Sequence, residues 1–131
     1  MYHIEKTTWG FKLTFGETID AKEMTQWVKD SEHALAGQIG KFGVFVDMRT
    51  LKPLASDVQN IMESGQKLYK MKGMQRSVVI LNSALTTMQF KRIAKETGIY
   101  EWERYLGADK ITNWEKVGLD WIIKGIDPDK A

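Results

Sequence analysis

The chain has no cysteine, which removes disulfides, thiolate metal ligands and cysteine nucleophiles from consideration. Histidine is nearly as scarce: His3 and His33 are the only two, and neither stands in a ligand spacing such as His-Glu-x-x-His. A Gly-x-Ser-x-Gly elbow and a glycine-rich phosphate loop are missing too. No window approaches ~18 apolar residues, so nothing reads as a membrane span. Met1 to Lys6 lacks the apolar core of a secretory signal, and a cytoplasmic protein is expected. Charge of one sign is also in short supply. Nineteen basic residues against 17 acidic ones leave a net +2, too little to steer nucleic acid by itself. These absences take away the usual enzyme signatures and favour a non-enzymatic reading with no metal and no cofactor.

What is present is an ordinary globular composition, 43% hydrophobic and 27% charged over 131 residues. That suits one domain, 1–131, long enough to bury a core. The most informative stretch is Gly43-Val44-Phe45-Val46, a short unbroken apolar run stopping at Asp47-Met48-Arg49. A strand apolar at every position is buried on both faces, as in a parallel or mixed sheet covered by helices. Ser77 to Leu81 repeats the pattern, and the two runs, 43–47 and 77–81, are expected to lie side by side and parallel. Before them, Tyr2 to Thr7 and Gly10 to Phe15 read as a hairpin, the second strand alternating Phe11, Leu13 and Phe15 with Lys12 and Thr14. Arg104 to Leu106 is a short last strand.

Helices fill the gaps. Asp20 and Glu23 form a capping box, flanked by Ile19 and Met24 as a hydrophobic staple, and Met24, Trp27, Val28 and Leu35 make the apolar stripe. Val58, Ile61, Met62, Gly65, Leu68 and Tyr69 give the second helix, ended by Gly73 in the position of a left-handed cap. The third is predicted with Leu85, Met88, Ile93 and Ala94 inward, and ends at Gly98. Thr112 to Glu115 is a second capping box, opening a helix with Trp114, Val117, Trp121 and Ile122 on one side. Ile126 to Ala131 is read as a frayed tail. The order is ββαβαβα(β)α, an α/β fold with a mixed sheet of about five strands and about four helices.

This order, with the segments Val46-Asp47-Met48-Arg49-Thr50-Leu51-Lys52-Pro53-Leu54 and Glu96-Thr97-Gly98-Ile99-Tyr100-Glu101-Trp102-Glu103-Arg104-Tyr105 and a tryptophan-bearing final helix, resembles the STAS domains of sulfate transporters and anti-sigma-factor antagonists, and more closely their SpoIIAA-like branch. The resemblance covers nearly the whole chain. It implies a SpoIIAA-like fold and, in regulatory members, a phosphorylated serine at the start of the helix after the central strand, inside Asp-Ser-Ser-Gly. Here that region reads Ala55-Ser56-Asp57-Val58, so Ser56 is the candidate phosphosite. The similarity of this architecture to lipid-carrying CRAL-TRIO domains implies an apolar ligand.

Each candidate residue has a plainer alternative. Ser56 with Gln59 also matches a capping box. Asp47, Arg49, Asn82 and Ser83 stand at the ends of neighbouring strands, where open α/β sheets bind ligands. Asp47 and Arg49 are equally a structural ion pair, and Asn82-Ser83 a helix entry. Met62, Met88 and Trp121 offer adaptable or amphipathic surface to a lipid-like molecule, or are core. Lys70, Met71, Lys72, Met74 and Arg76 suit an anionic membrane surface, or are a solvated helix end. Glu101 and Glu103 read as a solvated acidic edge near Arg104.

The leading expectation is a module that binds an apolar or amphipathic small molecule between helices and sheet. Its last helix would act as a movable lid, with peripheral contact to the inner face of the membrane. The alternative is a phospho-regulated switch with a regulatory protein partner. An enzyme built on Asp47 and Arg49 is a third reading. A homodimer is expected on base rate, and nucleic acid is not an expected partner.

Overall fold

The computed structural model describes residues 1–130. Five strands form one mixed sheet: β1 (Tyr2–Lys6), β2 (Gly10–Glu17), β3 (Phe42–Leu51), β4 (Met74–Leu81) and β5 (Glu103–Gly107). Their order in space repeats their order in the chain. β1 runs antiparallel to β2, and the remaining neighbours are parallel. The two fully apolar runs do pair in parallel, Val44 opposite Ser77 and Val46 opposite Val79.

The central strands are longer than the apolar runs suggested. β3 continues past Asp47 through Leu51, because β2 goes on pairing beyond a bulge that places one extra residue in β3: Thr14 faces Asp47, then Gly16 faces Thr50 and Glu17 faces Leu51. β4 starts at Met74 rather than Ser77, which places Met74 in the sheet.

Each crossover carries a helix: α1 (Ala21–Leu35), α2 (Ser56–Met71) and α3 (Ala84–Thr97). With sequential strands and crossovers of one hand, all three helices fall on one face of the sheet. There they share a core with Leu13, Phe15, Val44, Val46 and Val79. Asp20 caps α1 as expected, its Oδ1 accepting from Glu23 N at 2.8 Å. Ser83 caps α3, its Oγ accepting from Thr86 N, and Gly98 ends that helix at φ +84, a conformation that favours glycine. Gly65 lets α1 and α2 approach: a β-carbon there would sit 2.0 Å from Trp27 Cζ3. Trp27 then stacks on Tyr69 at 5.7 Å and meets Phe15 edge-on.

The opposite face is covered by α4 (Trp114–Leu119) and a π-helical turn over Asp120–Lys124. Trp114, Val117, Trp121 and Ile122 meet Phe45, Val78, Ile80 and Leu106, as their spacing predicted. The expected Thr112–Glu115 capping box does not form, since Asn113 stands at the cap without a side-chain bond. The tail is tied down rather than frayed: Arg104 Nε and Nη2 donate to the Asp127 carboxylate at 2.8 and 2.9 Å, and Pro128–Lys130 make a 3-10 turn. Ala131 lies outside the described residues.

Helix α3 corrects one phase assignment. Its buried residues are Thr86, Phe90, Ile93, Ala94 and Thr97, so Leu85 and Met88, expected inward, face solvent. Two threonines hold core positions that an apolar count passes over.

Candidate functional site

The strand ends come first, because β3 and β4 deliver Asp47, Arg49, Asn82 and Ser83 there. Asp47 Oδ1 accepts from the Arg49 backbone N–H at 3.1 Å and from Nε at 3.0 Å, while Oδ2 accepts from Nη2 at 2.9 Å. Burial pushes the Asp47 carboxyl up, but the Arg49 hydrogen bonds and the charges of Arg49 and Lys12 outweigh it and hold it below the usual carboxylate range. The Arg49 guanidinium also lies 4.4 Å from the centre of the Trp114 ring. Asn82 Nδ2 reaches the Arg49 carbonyl at 3.4 Å, and Ser83 is spent as the α3 cap. The ion pair thus closes on itself. Asn82 and Ser83 border a separate shallow groove of about 570 Å³ with Lys91 and Tyr105. The four residues are neighbours but share no pocket. The reason is topological: strand order never reverses, and the ligand crevice of open α/β sheets forms where it does.

A different site lies between the helical layer and the sheet. A cavity of about 30 Å³ is walled by Phe15, Trp27, Met62, Phe90 and Ile99, with Glu103 at one side. Its lining also includes Met48 and Met74. Glu103 is only 5% exposed. Ser77 Oγ lies 2.6 Å from its Oε2 and the Tyr105 hydroxyl 2.7 Å from its Oε1. Burial raises its pKa to about 7, against the lowering effect of those two hydrogen bonds. Burial and the adjoining carboxyl push the Tyr105 hydroxyl far above its ordinary value. Gln66 is held nearby by Thr97, Oγ1 to Oε1 2.9 Å. Among the described residues, the fully buried Trp27 indole N–H has no acceptor. A buried donor without a partner is unusual and costs stability.

Sequence reasoning missed this carboxyl. Glu101 and Glu103 do not share a strand face, because Glu101 belongs to a 3-10 turn over Tyr100–Trp102. Glu103 opens β5 and is registered against Ser77, on the face that the helices cover. Nothing local in the sequence marks that register.

The remaining candidates are dispersed. Met62 lines the cavity. Met88 is 67% exposed and lines nothing there. Trp121 is buried on the opposite face, its Nε1 donating to the Ser77 carbonyl at 3.0 Å, so it shares no pocket with Met62. For the same reason the last helix is no lid over the cavity. Ser56 is exposed and is the first residue of α2 rather than its cap. Ala55 stands at the cap without a side-chain bond, and Gln59 Nε2 donates to Leu54 O instead. Met74 is buried and Arg76 donates to the Ile122 carbonyl, so neither is available to a membrane. Lys70, Met71 and Lys72 are exposed.

No family model and no curated protein matches the chain. Among the described residues, no three His, Asp or Glu side chains are grouped to hold a metal ion, and no helix is long and apolar enough to cross a membrane.

Proposed function

We propose that the protein is a non-enzymatic binding module of SpoIIAA-like, STAS-related architecture, working in the cytoplasm, that holds a small apolar or amphipathic molecule between its helical layer and its sheet. One observation carries this reading: an apolar cavity in that layer is lined by a buried carboxyl group and by an indole whose N–H lacks a protein acceptor. A ligand with an apolar body and one polar head matches such a wall, because the body gains from leaving water and the head supplies the missing acceptor. Below about pH 7 Glu103 is neutral and accepts the head of an alcohol or acid without a buried charge. At about 30 Å³ the closed cavity exceeds the ~10–15 Å³ that a water needs but is too small for a chain molecule. Binding therefore requires the helices to shift, and the thioethers of Met48, Met62 and Met74 are side chains that repack readily.

Native mass spectrometry of the purified protein, alone and after incubation with decanoic acid or 1-octanol, tests the reading. The expected result is a bound mass that disappears in Val79→Phe, with circular dichroism confirming that the variant is folded. Glu103→Leu is a second variant that spares cavity volume. A clean unliganded mass under all conditions overturns the proposal.

A second reading is favoured by Ser56. It is exposed in the first turn of a 16-residue helix whose cap supplies no side-chain bond; the Val58 N–H donates to Asp57 at 3.0 Å, and a phosphate on Ser56 would meet the remaining N–H groups of that turn and the helix dipole. In that case a kinase labels Ser56, and Ser56→Asp changes affinity for a regulatory protein. Absence of phosphate at this position in protein isolated from its own cells counts against it.

A further inference from the structure

We propose that the end of the molecule formed by the α1–β3 and α2–β4 loops docks on an anionic lipid bilayer, with Ile39 and Met71 inserted among the lipids and Lys41, Lys70 and Lys72 facing the headgroups. This goes beyond the cavity reading and is independent of it, since none of these five residues lines the cavity.

The two loops are neighbours. Phe42 N donates to Gly73 O at 3.2 Å, and a β-carbon on Gly73 would sit 2.9 Å from Gly40 O. Ile39 precedes one of these touching glycines by a single residue and Met71 precedes the other by two, so both side chains belong to the same end of the sheet. They are 92% and 74% exposed. Scattered apolar residues on a surface are ordinary, but these two flank touching loops, Ile39 on the α1–β3 loop and Met71 as the last residue of α2.

Charge decides the occupant. From His33 to Val46 there is no acidic residue, and none from Ser64 to Lys95. Both loops therefore reach the surface inside acid-free stretches. Lys41 and Lys72 are exposed and, among the described residues, have no acidic partner within salt-bridge distance. Lys70 is exposed too, although its amine also donates to Thr97 O at 3.2 Å. Apolar tips ringed by lysines match the boundary between acyl chains and anionic headgroups, where each lysine adds attraction. A nucleic acid would be served by exposed aromatic faces for stacking, and neither loop presents one.

Co-sedimentation with vesicles of phosphatidylcholine, with and without phosphatidylserine, tests the proposal. Binding is expected with phosphatidylserine and is weakened by added salt. Lys41→Ala and Lys72→Ala should each lower the partition coefficient about fivefold. The double variant Ile39→Ser, Met71→Ser should lower it at unchanged charge. All four substitutions are at exposed positions, so the fold is retained. Three results each overturn the proposal: no sedimentation with phosphatidylserine vesicles at low salt, equal binding by the Ile39/Met71 double variant, or tighter binding to single-stranded DNA than to the vesicles.

Discussion

The two faces of the sheet are built on different principles. On one side three helices of 14 to 16 residues bury a deep core, and that core keeps an internal cavity beside a carboxyl group. On the other a six-residue helix and a π-helical turn sit almost directly on the strands. Two glycines allow that approach: a β-carbon on Gly118 would lie 2.6 Å from Phe45 Cε2, and one on Gly43 would lie 2.4 Å from Ile122 Cγ2. Side-chain to backbone hydrogen bonds then fix the contact, from Trp121 to Ser77 O and from Arg76 to Ile122 O. The Arg76 and Arg104 guanidinium groups both approach the Trp121 ring, 5.7 and 4.4 Å from its centre. The thick face has room to rearrange, and the thin face depends on a few contacts that permit no change in volume.

The largest test of this contrast is Trp121→Ala. It removes the main filler of the thin face, and an expected loss of about 3–5 kcal/mol is measurable by urea denaturation. A loss below about 1 kcal/mol would mean that the thin face contributes little.

Next comes the carboxyl on the thick face. The folded pKa of Glu103, about 7, is above its ordinary 4.5, so the folded protein holds a proton that the unfolded chain releases first. The contribution of Glu103 to stability is therefore fully present below pH 4.5, declines as pH rises toward 7, and levels off beyond. Glu103→Gln should abolish this decline and gain about 3 kcal/mol on the wild type across that window. Parallel pH profiles for the two proteins would contradict the assignment.

The smaller pair adds one carbon to each face. Gly118→Ala gains helix propensity, about 1 kcal/mol, but overpacks Phe45. The net expectation is a loss of about 1–2 kcal/mol in thermal or chemical melts. Val79→Ile extends into the cavity and should gain up to ~0.8 kcal/mol. Equal responses at the two positions would erase the distinction between the faces.

Much of the fold was legible in the residues. The apolar runs at 43–47 and 77–81 specify buried parallel strands because no face of them is polar, and the hairpin and the α1 cap follow from alternation and from Asp20. The helix spacing of Trp114, Val117, Trp121 and Ile122 placed that face against the sheet. The limits were also physical. Thr86 and Thr97 occupy core positions in α3, which turns the helix away from the phase that Leu85 and Met88 suggested. The site was less legible. Asp47 and Arg49 were recognisable as either a ligand pair or an ion pair, and only the sequential strand order, a long-range property, decides against a crevice there. Glu103 depends on the register of β5 against β4, which no local pattern encodes.

Sequential strand order also bears on how the chain assembles. Each strand finds its neighbour already made, and no later segment must be threaded between two earlier ones. The loops to be closed are single crossovers of modest length, and the entropy of closure is met in small steps. On a ribosome, the hairpin and each helix-strand unit would dock as they emerge, leaving the apolar underside formed by Phe45, Val78 and Ile80 bare until residues 114–124 arrive. That interval, when a finished sheet still shows an unsealed greasy surface, is when the nascent protein is most prone to stick to others.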